Sequence, residues 1–99
     1  MEELQLRERF DTGVKKIRHE IKSRLVPHGV FGTVTNVDSG PANQPDGARI
    51  EIHARGRIVG KSFDRQQIEG CCLRVGDAVL EGIIALVDEV SADSRSVSP

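Results

Sequence analysis

Ninety-nine residues, 37% of them hydrophobic and 29% charged, suffice for one modest core and exclude two independent domains. The formal net charge is −1, and the opening MEELQLRERF is charged where a secretory leader would be apolar. With no apolar run near the ~20 residues a membrane crossing needs, a single globular cytoplasmic domain over 1–92 is expected.

From the N-terminus, Leu6, Phe10, Gly13, Val14, Ile17, Ile21 and Leu25 recur at steps of three and four among charged residues. That spacing predicts an amphipathic helix ending at Pro27. Acidic residues (Glu2, Glu3, Glu8, Asp11) lie toward its start and basic ones (Lys15, Lys16, Arg18, Lys22, Arg24) toward its end, as the helix dipole favours. Gly13 costs about 1 kcal/mol relative to alanine inside a helix. Its place on the apolar stripe predicts that another backbone comes close there. The stripe is read as more apolar surface than a helix lying over a small sheet must bury. Leu6, Phe10, Val14, Ile17 and Ile21 are therefore candidates for a partner-binding surface that makes the chain a homodimer.

"VFGTVTNV" (30–37) is rich in β-branched residues and predicts a strand, and "ARIEIHARGRIVGKSF" (48–63) predicts a hairpin turning near Arg55 and Gly56. Ile50, Ile52 and Ala54 alternate with Arg49, Glu51, His53 and Arg55, giving one buried and one wet face. Between these units "DSGPANQPDG" (38–47) reads as a loop.

Asp64 is a good N-cap, Gln67 stands three places on as its capping-box partner, and Phe63 and Ile68 take the positions of a hydrophobic staple. A helix is predicted from Arg65, with Ile68, Cys72, Val75, Val79, Ile83, Leu86 and Val90 on its apolar face and both cysteines toward the buried side. Gly70, Gly76 and Gly82 weaken it, and a break at Gly76 would leave two shorter helices. The expected fold is α+β, ordered α-β-β-β-α, with both helices on one face of a three-stranded antiparallel sheet. The alternative is a small all-β barrel behind an N-terminal helix, with "AVLEGIIALV" as a strand. Residues 93–99 are expected to be a flexible tail.

Motifs that carry chemistry are sparse. Cys71 and Cys72 fit no disulfide framework and no C-x-x-C metal spacing, and they read as structural. His19, His28 and His53 are scattered over helix, turn and strand. "GRIVGKS" (56–62) is one residue short of a phosphate-binding loop, and Asp88 and Glu89 are neighbours that do not face each other on a helix. The chain is accordingly expected to be no enzyme and to hold no cofactor or metal.

Charge is more suggestive. Residues 14–65 carry ten Lys/Arg against five Asp/Glu, whereas 66–99 carry two against six. Lys15, Arg18 and Lys22 follow one helix face, and Arg49, Arg55, Arg57 and Lys61 line the predicted hairpin; these seven are candidate phosphate contacts. Three Phe and no Trp or Tyr leave little for base stacking. The order helix, three strands, helix resembles in topology the double-stranded RNA-binding domain, a resemblance that implies recognition of duplex shape and phosphates. The sequence departs from that family at the start of the last helix, where "DRQQIEG" offers only Arg65 in place of a basic cluster. Two functions follow as expectations: a non-enzymatic protein-binding module (a small regulator, inhibitor or assembly subunit), or a nucleic-acid-binding module.

Overall fold

The computed structural model describes the backbone of residues 2–41 and 45–96 and the side chains of residues 8–41 and 45–91. Helix α1 spans Glu2–Leu25 and turns Phe10, Val14, Ile17, Ile21 and Leu25 into the core. One 3₁₀ turn, Val26–His28, follows with Pro27 inside it, and Gly29 closes it at φ 67°. The Gly29 N–H donates to the Val26 carbonyl at 2.9 Å and the Val30 N–H to the Leu25 carbonyl at 3.2 Å. These bonds occupy carbonyls that a helix end leaves open, and the left-handed glycine sends the chain back along α1.

Three antiparallel strands, β1 (Gly32–Ser39), β2 (Gly47–Ala54) and β3 (Arg57–Asp64), form one open sheet in the order β1-β2-β3. The register sets Val34 opposite Ile52 and Ile52 opposite Val59, so these side chains share one face. That face, with Ala48, Ile50, Ala54 and Phe63, is buried under the helices. β1 lies two residues later than the β-branched run suggests. The hairpin turns at Arg55 and Gly56 as predicted, with φ 55° and 71°; two left-handed residues match the twist of the strands they join.

The capping box at the end of β3 is complete. Gln67 N–H donates to Asp64 Oδ1 at 2.8 Å, and the Asp64 N–H donates to Gln67 Oε1 at 3.1 Å. Helix α2 begins at Arg65 but ends at Gly70, and α3 begins only at Asp77 and runs through Ser96. The helical region is thus two helices, with the break spread over residues 71–76 rather than confined to Gly76. Bonds from Cys71 N–H to the Ile68 carbonyl and from Cys72 N–H to the Glu69 carbonyl tighten the last turn, and glycines on both sides make its termination cheap. Both helices pack on α1 and on the β2–β3 part of the sheet, α2 chiefly on α1 and α3 on α1 and β3.

α3 buries Val79, Ile83, Leu86, Val87 and Val90, one face at helical steps, so the segment that a barrel would need as a strand is helical and the sheet stays open. Residues 93–96, expected as the start of a tail, continue the α3 backbone; 97–99 lie outside the described residues. Among the described residues no helix is long and apolar enough to cross a membrane.

Asp64→Ala removes one half of the capping box and is expected to lower stability by about 1 kcal/mol. A urea midpoint unchanged by this substitution would show that the cap contributes nothing to folding.

Candidate functional site

The apolar stripe of α1 is not a free surface. Phe10, Val14, Ile17 and Ile21 are buried in this chain's own core, while the Leu6 side chain lies outside the described residues. The expectation of spare apolar surface treated the sheet as the stripe's only cover. α2 and α3 also pack on α1, so the domain itself consumes the stripe from Phe10 to Ile21, and these four side chains cannot form the docking face.

What the fold leaves open is the other side of the sheet. The register puts Thr33, Thr35 and Val37 of β1, Arg49, Glu51 and His53 of β2, and Ile58, Gly60 and Ser62 of β3 on the face away from the helices. Val37 is 58% exposed, Ile58 62%, and Phe31, just before β1, 91%. Phe31, Thr33, His53 and Ile58 border one shallow groove beside the Arg55–Gly56 turn. Reading Phe31 from the sequence as part of a strand misses this exposure. Periodicity assigns a side chain to one of two faces and does not say which face the helices cover.

A polar network crosses the same face. Glu51 accepts from Arg49 Nε at 3.1 Å through Oε2, and its Oε1 lies 3.2 Å from His53 Nε2. Thr35 Oγ1 is 3.3 Å from that same nitrogen. Gly60 makes room for the pair, since a Cβ there would sit 3.0 Å from Arg49 Cζ and Glu51 Cγ. Hydroxyl, imidazole and carboxylate match the residue types of a nucleophilic triad, but a relay needs hydroxyl and carboxylate on opposite ring nitrogens. Here both meet Nε2, so the ring cannot pass a proton from one to the other. The arrangement orders the sheet face.

The seven candidate cations separate into two groups. Lys15, Arg18 and Lys22 converge with His19 around one depression on α1, and Arg18 Nη1 donates to Asn36 Oδ1 of β1 at 3.3 Å. Arg49 lies on the uncovered face, tied to Glu51. Arg55 reaches from the hairpin turn to the Ser91 carbonyl at 3.1 Å. Arg57 and Lys61 stand on the helix side of β3, at the opposite margin of the sheet from Arg18. The hairpin cations therefore do not extend the α1 group. Strand alternation splits Arg49 from Lys61, and β2 lies between Lys61 and α1's flank. His19 completes the α1 group, and its helical step from Lys15 and Lys22 was the signal for it.

Cys71 is fully buried, with its thiol donating to the Gln67 carbonyl at 3.2 Å; Cys72 is half-buried and borders a depression with Glu8, Arg9 and Thr12. Only Cys71 takes the buried position expected of both, because the helix ends between Gly70 and Cys71. Among the described residues no three His, Cys, Asp or Glu side chains are grouped to hold a metal ion. Cys71→Ala is expected to cost roughly 1 to 3 kcal/mol through lost packing, and Cys72→Ala much less. Equal melting temperatures for the two variants would contradict this division.

Comparison with protein-family models, with curated proteins and with solved structures finds no match to this chain.

Proposed function

We propose that this chain is a non-enzymatic protein-binding module, a small regulator, inhibitor or assembly subunit, that meets its partner through the helix-free side of the sheet. The observation that carries this reading is Phe31, a large apolar side chain 91% exposed that borders one groove with the exposed Ile58. Exposed aromatic and aliphatic side chains grouped on one face are the usual anchors of a protein interface. The test is capture on the immobilised chain from a nuclease-treated extract of its source cells, run beside a Phe31→Ser/Ile58→Thr double variant. The expected result is a protein retained by the wild type and lost by the variant, with unchanged melting of the variant. Equal retention by both would move binding off this face.

A second reading, a nucleic-acid-binding module, is favoured by the grouping of Lys15, Arg18 and Lys22 on α1. Three phosphate contacts predict that affinity falls roughly fortyfold between 50 and 200 mM salt. A duplex whose binding ignores salt over that range would exclude this reading.

A further inference from the structure

The sheet has two margins, and only one is guarded. Each presents a row of backbone N–H and C=O groups with no strand beyond it among the described residues, and such a row is a template for another strand. Natural sheets blunt margins with lysines and inward-pointing charges. β3 has both devices. Arg57 and Lys61 point to the helix side, where they sit opposite Ala54 and Ile50, and the Lys61 stem packs on Gly82 of α3, close enough that a Cβ there would lie 2.9 Å from its Cε. β1, "GTVTNVDS", has no lysine, arginine or proline, and its one charge, Asp38, is next to its end. Eight residues give about 26 Å of open strand.

The flanks of that margin differ in chemistry. On the helix side Arg18 reaches the middle of β1 through its bond to Asn36, whose amide in turn donates to Asp38 Oδ1 at 2.8 Å. Lys15 and Lys22 stand three residues before and four after Arg18, both exposed. The short connection after α1 runs β1 back along the helix, so Lys22 lies toward Gly32, and Asp11 and Asp38 lie toward the Ser39 end. On the uncovered side the margin offers Thr33, Val37 and the preceding Phe31.

We infer that the β1 margin accepts an extended segment of the partner protein as a fourth strand. That segment carries Asp or Glu at alternate positions facing Lys15, Arg18 and Lys22, with β-branched or apolar residues between them facing Val37 and Phe31. Backbone hydrogen bonds hold such a strand and the alternating side chains select it. The inference rests on the protein-binding reading above and names its partner's chemistry. A second copy of this chain is a poor occupant, since pairing two β1 margins about a two-fold axis sets the cationic flanks of both α1 helices side by side.

The test uses the intact chain and three synthetic peptides of about ten residues, long enough to span the strand: alternating Glu and Val, the same sequence N-methylated throughout, and alternating Lys and Val. The Glu–Val peptide is expected to shift the backbone amides of Gly32–Ser39 saturably in ¹H–¹⁵N spectra. The N-methylated and Lys–Val peptides should bind more weakly by roughly tenfold or more. A Lys15→Glu/Lys22→Glu variant, altered only at exposed positions, should reverse the preference between the Glu and Lys peptides. Equal binding of the N-methylated peptide, shifts confined to α1, or a short RNA duplex binding these residues more tightly than any peptide would each overturn the inference. If no peptide binds while capture still depends on Phe31 and Ile58, the acidic strand is refuted and the protein-binding reading stands. Loss of both refutes both.

Discussion

Gly13→Ala is expected to destabilise the domain, although the same exchange in an unhindered helix adds about 1 kcal/mol. A Cβ on residue 13 would overlap the carbonyl oxygen of Ile68 and lie 2.8 Å from its carbonyl carbon and 2.9 Å from its Cγ2. The obstacle is backbone, which cannot swing aside as a side-chain tip can, so α2 must move away from α1. Ile68 is fully buried and follows the capped start of α2, so that movement opens the core. Overpacking of this kind costs about 1–3 kcal/mol and sometimes more, enough to outweigh the helix-propensity gain. Urea denaturation followed by circular dichroism measures the net effect. Gly70→Ala, where a Cβ meets nothing within 4 Å, is the control and is expected to leave stability unchanged or raise it. A Gly13→Ala protein as stable as wild type would mean that the two helices do not cross at this residue.

The second large effect concerns Ile17→Asp. Were the α1 stripe an intermolecular surface, this substitution would yield a folded monomer. Ile17 is instead fully buried among Phe10, Ile21, Val34 and the α3 residues of one continuous core. Losing the side chain costs about 2–5 kcal/mol. The carboxylate that replaces it adds several more, because no cation is buried there to receive it. A domain of this size has roughly 5–15 kcal/mol in total, so the variant is expected to be largely unfolded at room temperature. Lys16→Asp, one residue away and exposed, should change stability by no more than about 0.5 kcal/mol. A native-like spectrum from Ile17→Asp would overturn the core assignment and return the stripe to the candidates for self-association.

Both experiments bear on where information about this chain resides. Its local signals are strong because they depend on residues a few places apart. Asp64 and Gln67 close their capping box, Arg55 and Gly56 make a two-residue turn, and Ile50, Ile52 and Ala54 point to one face. The convergence of Lys15, Arg18 and Lys22 is legible for the same reason, since steps of three and four put side chains on one helix flank.

Other features were settled by contacts between elements distant in the chain. The helix after Arg65 breaks over 71–76, and α2 and α3 each pack separately on α1 and the sheet, while glycines make several endings nearly equal in local cost. The destination of the α1 stripe depended on how much of it α2 and α3 would cover, a quantity absent from periodicity. The same holds for the candidate surface. Phe31 and Val37 belong to a run that reads as a strand, and they are exposed because the helices lie on the other side of the sheet. Arg49 and Lys61 are legible as hairpin cations, yet strand alternation and sheet order put them on different faces, away from α1. The β1 margin is open because no strand lies beyond it among the described residues, and its cationic flank comes from Arg18 of α1. Neither fact is local, since a strand's neighbours are set by the packing of the whole domain.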